Sequence, residues 1–200
     1  ILPGLDQYAN FGDKMHKGAN TLEANTIQDL YYVLCSHWQN SSEVVMNSEE
    51  PGTLLTKFKP ELTGLNDQQQ MMTLDFLTYL PDDILVKVDR AAMASSLETR
   101  APFLDHKLIE HVWKIPQSLK YRNGSGKWIL RQILNNYIPK SLTERPKMGF
   151  AIPLDTWLRG PLRDWAEDLL DEKKLHQDGY LNPELIRKKW FEHSSGNRNW

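Results

Sequence analysis

Asp155-Thr156-Trp157-Leu158-Arg159-Gly160-Pro161-Leu162-Arg163-Asp164-Trp165-Ala166-Glu167-Asp168-Leu169-Leu170 places Leu158, Leu162, Trp165, Ala166 and Leu169 three and four residues apart. Apolar residues at that spacing line one side of a 3.6-residue coil, so the stretch predicts an amphipathic helix over about 155–170 with an apolar stripe and a polar back. The rest of the chain carries the same bias. It has 28 leucines but only six valines in 200 residues, and no long alternating run rich in β-branched side chains. That composition favours helices over a sheet. The expected fold class is all-α, an irregular multi-helix domain.

Further elements follow from local chemistry. Asn182-Pro183-Glu184 reads as a helix start, with a capping side chain, a proline in the first turn and an acid near the positive end of the dipole. The helix it opens is expected to turn Leu185, Ile186 and Trp190 inward. Other helices are expected near 22–38, 67–80, 82–96, 106–114 and 126–137, punctuated by Pro81, Pro102, Pro116 and Pro139, because proline interrupts helical hydrogen bonding. Residues 40–53, rich in Ser, Glu and Asn and containing Pro51-Gly52, predict a surface loop. Neither an internal repeat nor a second domain is visible in the pattern.

The composition bounds the function. Lys plus Arg number 24 against 26 Asp plus Glu, a net charge of -2 that argues against general affinity for nucleic acid or an anionic membrane. The single cysteine, Cys35, cannot form an internal disulfide, which suits a reducing compartment, and its position beside Leu34 and Trp38 in a helical stretch predicts a core thiol. No apolar run approaches the roughly 20 residues of a membrane span. A soluble, cytoplasmic chain is the expectation. Because the sequence opens at Ile1 and closes in Gly196-Asn197-Arg198-Asn199-Trp200, it is also expected to be part of a longer protein.

Three features could carry chemistry. Lys120 to Lys147 holds seven bases (Lys120, Arg122, Lys127, Arg131, Lys140, Arg145, Lys147) against one acid, Glu144, leaving the remainder net negative by eight. Such a cluster suits a phosphate or pyrophosphate subsite, since ammonium and guanidinium groups offset an anion's charge while donating hydrogen bonds. Charge alone does not separate that reading from a solvated basic face. The second feature is Ser96-Leu97-Glu98-Thr99-Arg100-Ala101-Pro102-Phe103-Leu104-Asp105, a connector in which Pro102 forces the preceding residues out of helical geometry and Asp105 is placed to cap the next helix. Glu98 and Arg100 can pair with each other there, worth about 0 to 1 kcal/mol on a surface. The third is Arg145-Pro146-Lys147-Met148-Gly149-Phe150, where proline and glycine brace a loop that holds Lys147 in place, as a phosphate ligand, a stabiliser of developing charge or an ordinary surface lysine. The six histidines show no paired metal-ligand spacing, and His106 and His111 fall on different faces of a helix.

Taken in order, Tyr79-Leu80-Pro81-Asp82-Asp83-Ile84-Leu85-Val86-Lys87-Val88-Asp89-Arg90, Met93, Leu97 to Asp105, Lys127 to Arg131, Tyr137-Ile138-Pro139, Arg145 to Phe150 with Pro153, and the Trp157-Leu158 helix closely resemble the C-terminal half of the synthetase domain of glutamine-hydrolysing asparagine synthetases. The resemblance runs from about residue 67 to the end and is weaker before that. It implies that residues 1–200 are the helical C-terminal part of an α/β ATP-pyrophosphatase-type domain whose sheet is absent. The Ser-Gly-Gly-x-Asp-Ser loop that cradles pyrophosphate is not in this sequence, nor are the Gly-Ser-Asp-Glu stretch and the N-terminal glutaminase domain with its cysteine.

The chemistry the resemblance implies starts with a substrate carboxylate attacking the α-phosphate of ATP. Pyrophosphate leaves, and ammonia then displaces AMP from the acyl-adenylate to give an amide. The expected participants in the full protein are ATP with Mg2+, glutamine-derived ammonia and a carboxylate, aspartate by default, with no cofactor held tightly by this chain alone. Lys147 matches the family's active-site lysine, Glu98 an acidic residue near that site, and Arg100 and Arg145 are substrate-binding candidates. Neither nucleic acid nor membrane is expected as a partner. Loss of the sheet is expected to leave an apolar face that favours a homodimer. Two other readings stay open, a helical interaction module that docks an acidic partner and an amidotransferase acting on a sugar acid or another carboxylate.

Overall fold

The computed structural model describes Met15, residues 18–144 and residues 152–200. Helices dominate among them, as expected, and the regular pairing consists of one two-residue ribbon and an isolated bridge between Val45 and Leu181. The backbone gathers into two units, the first made of the chain up to Lys87 together with Ile152 onward, the second running from Val88 to Ala151.

In the first unit, Thr26 accepts from the N–H of Asp29 at 3.1 Å and opens α1 (Ile27–Cys35). Helix α2 (Asp67–Leu74) begins with a reciprocal capping box, Asn66 and Gln69 each accepting the other's backbone N–H at 3.0 Å. These helices bury Tyr31, Leu62 and Leu74, with Leu55, Leu65 and Met71 packed around them. Tyr31 brings a hydroxyl into this cluster and donates it to Asp75 Oδ1 at 2.8 Å. Burial, reinforced by that carboxylate, pushes the phenol above its ordinary value, so it stays a donor.

Pro81 does not end a helix. Helix α2 runs directly into a π-helical stretch, Asp75–Leu85, that contains Pro81 and continues into α3 (Val86–Met93). The expected division into 67–80 and 82–96 is therefore corrected to one continuous coil. A π turn spaces its bonds five residues apart, which relieves the contact a proline ring would make in a tighter helix. The predicted helix at 22–38 is also shorter. Because α1 ends at Cys35, with Ser36 extended, no further turn covers the thiol, and Cys35 is exposed rather than in the core.

The stretch over 155–170 is corrected as well. It forms two helices, α8 (Leu154–Arg159) and α9 (Arg163–Leu169), parted at Gly160-Pro161. Pro161 has no N–H to continue the ladder, and Gly160 turns to φ -119, ψ -111. Breaking the coil breaks the stripe. Ala166 is buried and Leu158 and Leu162 half-buried, but Trp165 and Leu169 are 59% and 52% exposed. Asp171 caps α10 (Glu172–Asp178), which ends on Gly179 in the left-handed conformation. Asn182 then caps α11 (Pro183–Ser194) as predicted, accepting from the N–H of Leu185 at 3.2 Å while its amide donates to the carbonyl of Glu43. Residues 40–53 thus form a loop that is anchored rather than free: Val44 is buried and its carbonyl accepts from the N–H of Asn182 at 2.8 Å.

The second unit contains α4 (His106–Lys114), α5 (Gln117–Lys120), β1 (Tyr121–Arg122), β2 (Ser125–Gly126), α6 (Trp128–Leu134) and α7 (Lys140–Thr143). Strands β1 and β2 pair antiparallel across Asn123-Gly124, whose φ of 51 and 77 suit a two-residue turn of type I′. The sequence reading missed this hairpin although Asn-Gly is its strongest local signal. No described residue from Val88 to Glu144 is buried.

Two substitutions test this account by urea unfolding. Leu74→Ala is expected to cost about 2–5 kcal/mol, as a fully buried leucine with packed neighbours does; a loss well under that range would remove Leu74 from the core. Asn182→Ala is expected to cost about 1 kcal/mol, and an unchanged midpoint would show that the cap does not hold α11.

Candidate functional site

The connector and the basic segment lie in the second unit, and each is built from its own ends. Helix α3 closes on Ser96 at φ 57, a left-handed cap, with the N–H of Leu97 bonded back to the carbonyl of Ala92 at 3.0 Å. The chain then extends through Glu98 to Ala101 and enters a single 3-10 turn, Pro102–Leu104. Asp105 accepts from the N–H groups of Lys107 and Leu108 at 3.0 and 3.1 Å and opens α4, the role its position predicts. The connector is thus fixed at both ends while its middle stands clear.

In that middle, Glu98 Oε1 pairs with Arg100 at 2.7 Å, and the two side chains are 71% and 83% exposed. A pair so open to water contributes about 0 to 1 kcal/mol. Either partner can therefore exchange it for a ligand at little cost in stability. Arg145 and Lys147, the other sequence candidates, lie outside the described residues, as does the rest of the stretch from Arg145 to Phe150.

The basic segment resolves unevenly into structural roles. Lys120 lies 5.3 Å from the centre of the Trp113 ring and donates to that residue's carbonyl at 3.4 Å, and its burial holds the amine below its ordinary value. Arg122 covers the Trp128 ring at 5.0 Å, and Arg131 Nε donates to the carbonyl of Gly126 at 3.1 Å, closing the base of the hairpin. These three cations serve packing, as in the structural reading of the cluster. Lys127 occupies the left-handed N-cap of α6 and Lys140 the first turn of α7.

A second polar cluster, not foreseen from the sequence, sits in the first unit. Arg159 Nε donates to the carbonyl of His193 at 2.8 Å, its Nη2 donates to Asn199, and its Nη1 lies 3.7 Å from Asp155. A cleft of about 350 Å³ opens beside these residues, lined by Ile152, Leu154, Asp155 and Leu158 on one side and by His193, Asn199 and Trp200 on the other. Helix α11 is clamped to α9 nearby. Glu167 accepts from Arg187 at 2.6 Å and from the indole of Trp190, and the Arg187 bond, ahead of the indole's, lowers its pKa. Partners 34 to 40 residues apart leave no local pattern, so periodicity could not have exposed this cluster.

Among the described residues no group of three or more His, Cys, Asp or Glu is arranged to hold a metal ion. No described helix is long and apolar enough to cross a membrane.

The comparisons with known proteins agree with the order of motifs. Asparagine synthetase (glutamine-hydrolyzing) 1 of Bacillus subtilis is 32% identical over 133 residues, 66% of this chain and 21% of the relative. A putative asparagine synthetase (glutamine-hydrolyzing) of Mycobacterium bovis is 39% identical over 107 residues, 53% of this chain and 16% of the relative. A protein of Gibberella zeae named amidase chry2 is 30% identical over 112 residues, 52% of this chain and 17% of its own. The matched stretch spans about a fifth of the length of these relatives. No solved structure matches the chain. The asparagine synthase family model matches residues 3–200, nearly every position, and the chain belongs to that family.

Proposed function

We propose that this chain is the helical part of an ATP-dependent, amide-forming synthetase that converts aspartate to asparagine with glutamine-derived ammonia. The family match over residues 3–200 carries the reading. It is supported by a connector whose Glu98 and Arg100 pair with each other in the open, where a ligand can reach both. A carboxylate oxygen of the substrate attacks the α-phosphorus of ATP. The bond from that phosphorus to the pyrophosphate oxygen breaks, leaving an acyl-adenylate. Ammonia adds to the acyl carbon, the bond to AMP breaks, and a proton is lost to give the amide.

Lys147 would stabilise the negative charge that develops on the phosphates and on the intermediate, a role suited to a fixed ammonium group. Glu98 would accept a hydrogen bond from the incoming amine or hold a base in place, and Arg100 and Arg145 would bind anionic groups of the substrate. Mg2+ accompanies ATP in such reactions and is held largely by the nucleotide's phosphates. Because the Ser-Gly-Gly-x-Asp-Ser loop that cradles pyrophosphate is not in this sequence, the isolated chain is expected to be inactive, with its nucleotide-binding half elsewhere in the full protein.

A second reading keeps the chemistry and changes the acceptor. Relatives of comparable identity include a protein named an amidase rather than an asparagine synthetase. A sugar acid or another carboxylate then takes the place of aspartate.

Pyrophosphate release in the complete parent protein, supplied with ATP, glutamine and aspartate, separates these readings. Aspartate-dependent release that falls at least about a hundredfold in Lys147→Ala, the scale of losing one charge-stabilising group, is the expected result. Release that ignores aspartate selects another carboxylate, and no release with any acid returns the chain to the class of interaction modules.

The isolated chain should also associate with itself. Large apolar side chains stand open in the second unit, Phe103 at 65%, Tyr137 at 81% and Leu142 at 56%, and exposed apolar surface favours association. Light scattering is expected to show a mass that rises with concentration. A mass fixed at the monomer value over a wide range would contradict it.

A further inference from the structure

The turn that follows α11 is folded back onto the helix by His193. This side chain is 3% exposed and its ring stacks on Trp190 at 5.9 Å and 14°. Nδ1 accepts the backbone N–H of Trp200 at 3.2 Å. In a neutral imidazole one nitrogen accepts and the other carries the hydrogen. The proton therefore resides on Nε2, which has no hydrogen-bond partner among the described residues.

The rest of the turn is tied at several points. The N–H of Gly196, at φ 78, donates to the His193 carbonyl at 3.0 Å, and the N–H of Arg198 donates to the Glu192 carbonyl at 3.1 Å. The Trp200 indole donates to Glu192 at 2.6 Å, and the ring carries Lys189 at 2.9 Å and Arg198 at 3.8 Å.

We propose that His193 is a proton-operated latch on the 196–200 turn: the neutral ring holds Trp200 in place, and the protonated ring lets it go. Protonation converts Nδ1 from acceptor to donor, so an N–H of the ring would face the N–H of Trp200. One hydrogen bond is lost and two donors are opposed in a site shielded from water. The new charge is also badly placed. Arg159 faces it from α8, with Asp155 as the opposing carboxylate; Lys189 and Glu192 flank it on α11, and Arg198 stands on the turn itself. Glu167 on α9 is already committed to Arg187 and Trp190.

Burial first, and Arg159 second, hold the His193 imidazole below its ordinary value, while Asp155 and a backbone hydrogen bond at Trp200 pull less strongly the other way. The closed turn is accordingly at full stability above about pH 6.5, the ordinary imidazole value. It loses stability as the pH falls below that value, because the released imidazole takes up a proton that the closed one resists. Asn199 and Trp200 line the cleft beside α8, so release of the turn widens that cleft.

Nuclear magnetic resonance on the complete parent protein, with its histidines and tryptophans nitrogen-labelled, tests the latch between about pH 7.5 and pH 5, the range in which an imidazole titrates. At the upper end His193 should show hydrogen on Nε2 and none on Nδ1. As the pH falls, the Trp200 backbone and indole N–H signals should shift toward those of a free turn, with the same midpoint as the His193 ring. His193→Asn supplies an acceptor that does not titrate, and in that variant the Trp200 signals should stay constant. Trp200 signals that stay fixed down to pH 5 in the wild type, that move with a different midpoint from His193, or that move equally in His193→Asn would each overturn the proposal. Should that variant fail to fold, the shared midpoint in the wild type decides alone.

Discussion

The guanidinium of Arg159 reaches three parts of the chain at once: Asp155 one turn back on α8, the carbonyl of His193 at the end of α11, and the side chain of Asn199 in the final turn. Arginine does this well because its donors form a rigid planar fork, so each further bond costs little additional ordering. The consequence reaches beyond the residue itself. With α11 and the final turn fixed to α8, the cleft beside α8 acquires its second wall, in which Trp200 receives Lys189.

Polar ties of this kind matter more where apolar burial is sparse. The buried cluster of the first unit centres on Tyr31, Leu62 and Leu74, and from Val88 to Glu144 no described side chain is buried at all. Within that second stretch the elements are fixed by local devices: the Asp105 cap, the left-handed turn at Ser96, the Asn123-Gly124 hairpin, and cations laid over Trp113 and Trp128. Each contributes on the order of 1 kcal/mol. They set the course of the chain without creating an interior among the described residues.

That condition bears on the reaction proposed for the family member. Its chemistry needs charge held in a fixed place and shielded from water. The Glu98-Arg100 connector is capped at both ends, but the second requirement is not met within it, since both side chains face solvent. A protein whose relatives are about five times as long as the stretch they share with it can meet the second by supplying the remaining wall. The bases nearest the hairpin do not substitute for it, because Lys120, Arg122 and Arg131 are engaged in packing.

What could be read from the sequence was whatever depends on neighbours in the chain. Leucine-rich composition indicated helices; Asp105 and Asn182-Pro183 marked helix starts, because a cap acts within three residues. The Asn123-Gly124 turn was equally local and was passed over beside its basic neighbours. The order of motifs carried the family. Tertiary structure decided the rest, because burial depends on what lies opposite. The apolar spacing of 155–170 ignored Gly160-Pro161, so Trp165 and Leu169 face out; Pro81 passes through a widened coil; Cys35 is left open where α1 stops. His193, Arg159 and Trp200 became one cluster only when α8, α11 and the final turn met. A periodic pattern records which side of a helix is apolar, but only the fold determines whether anything covers that side.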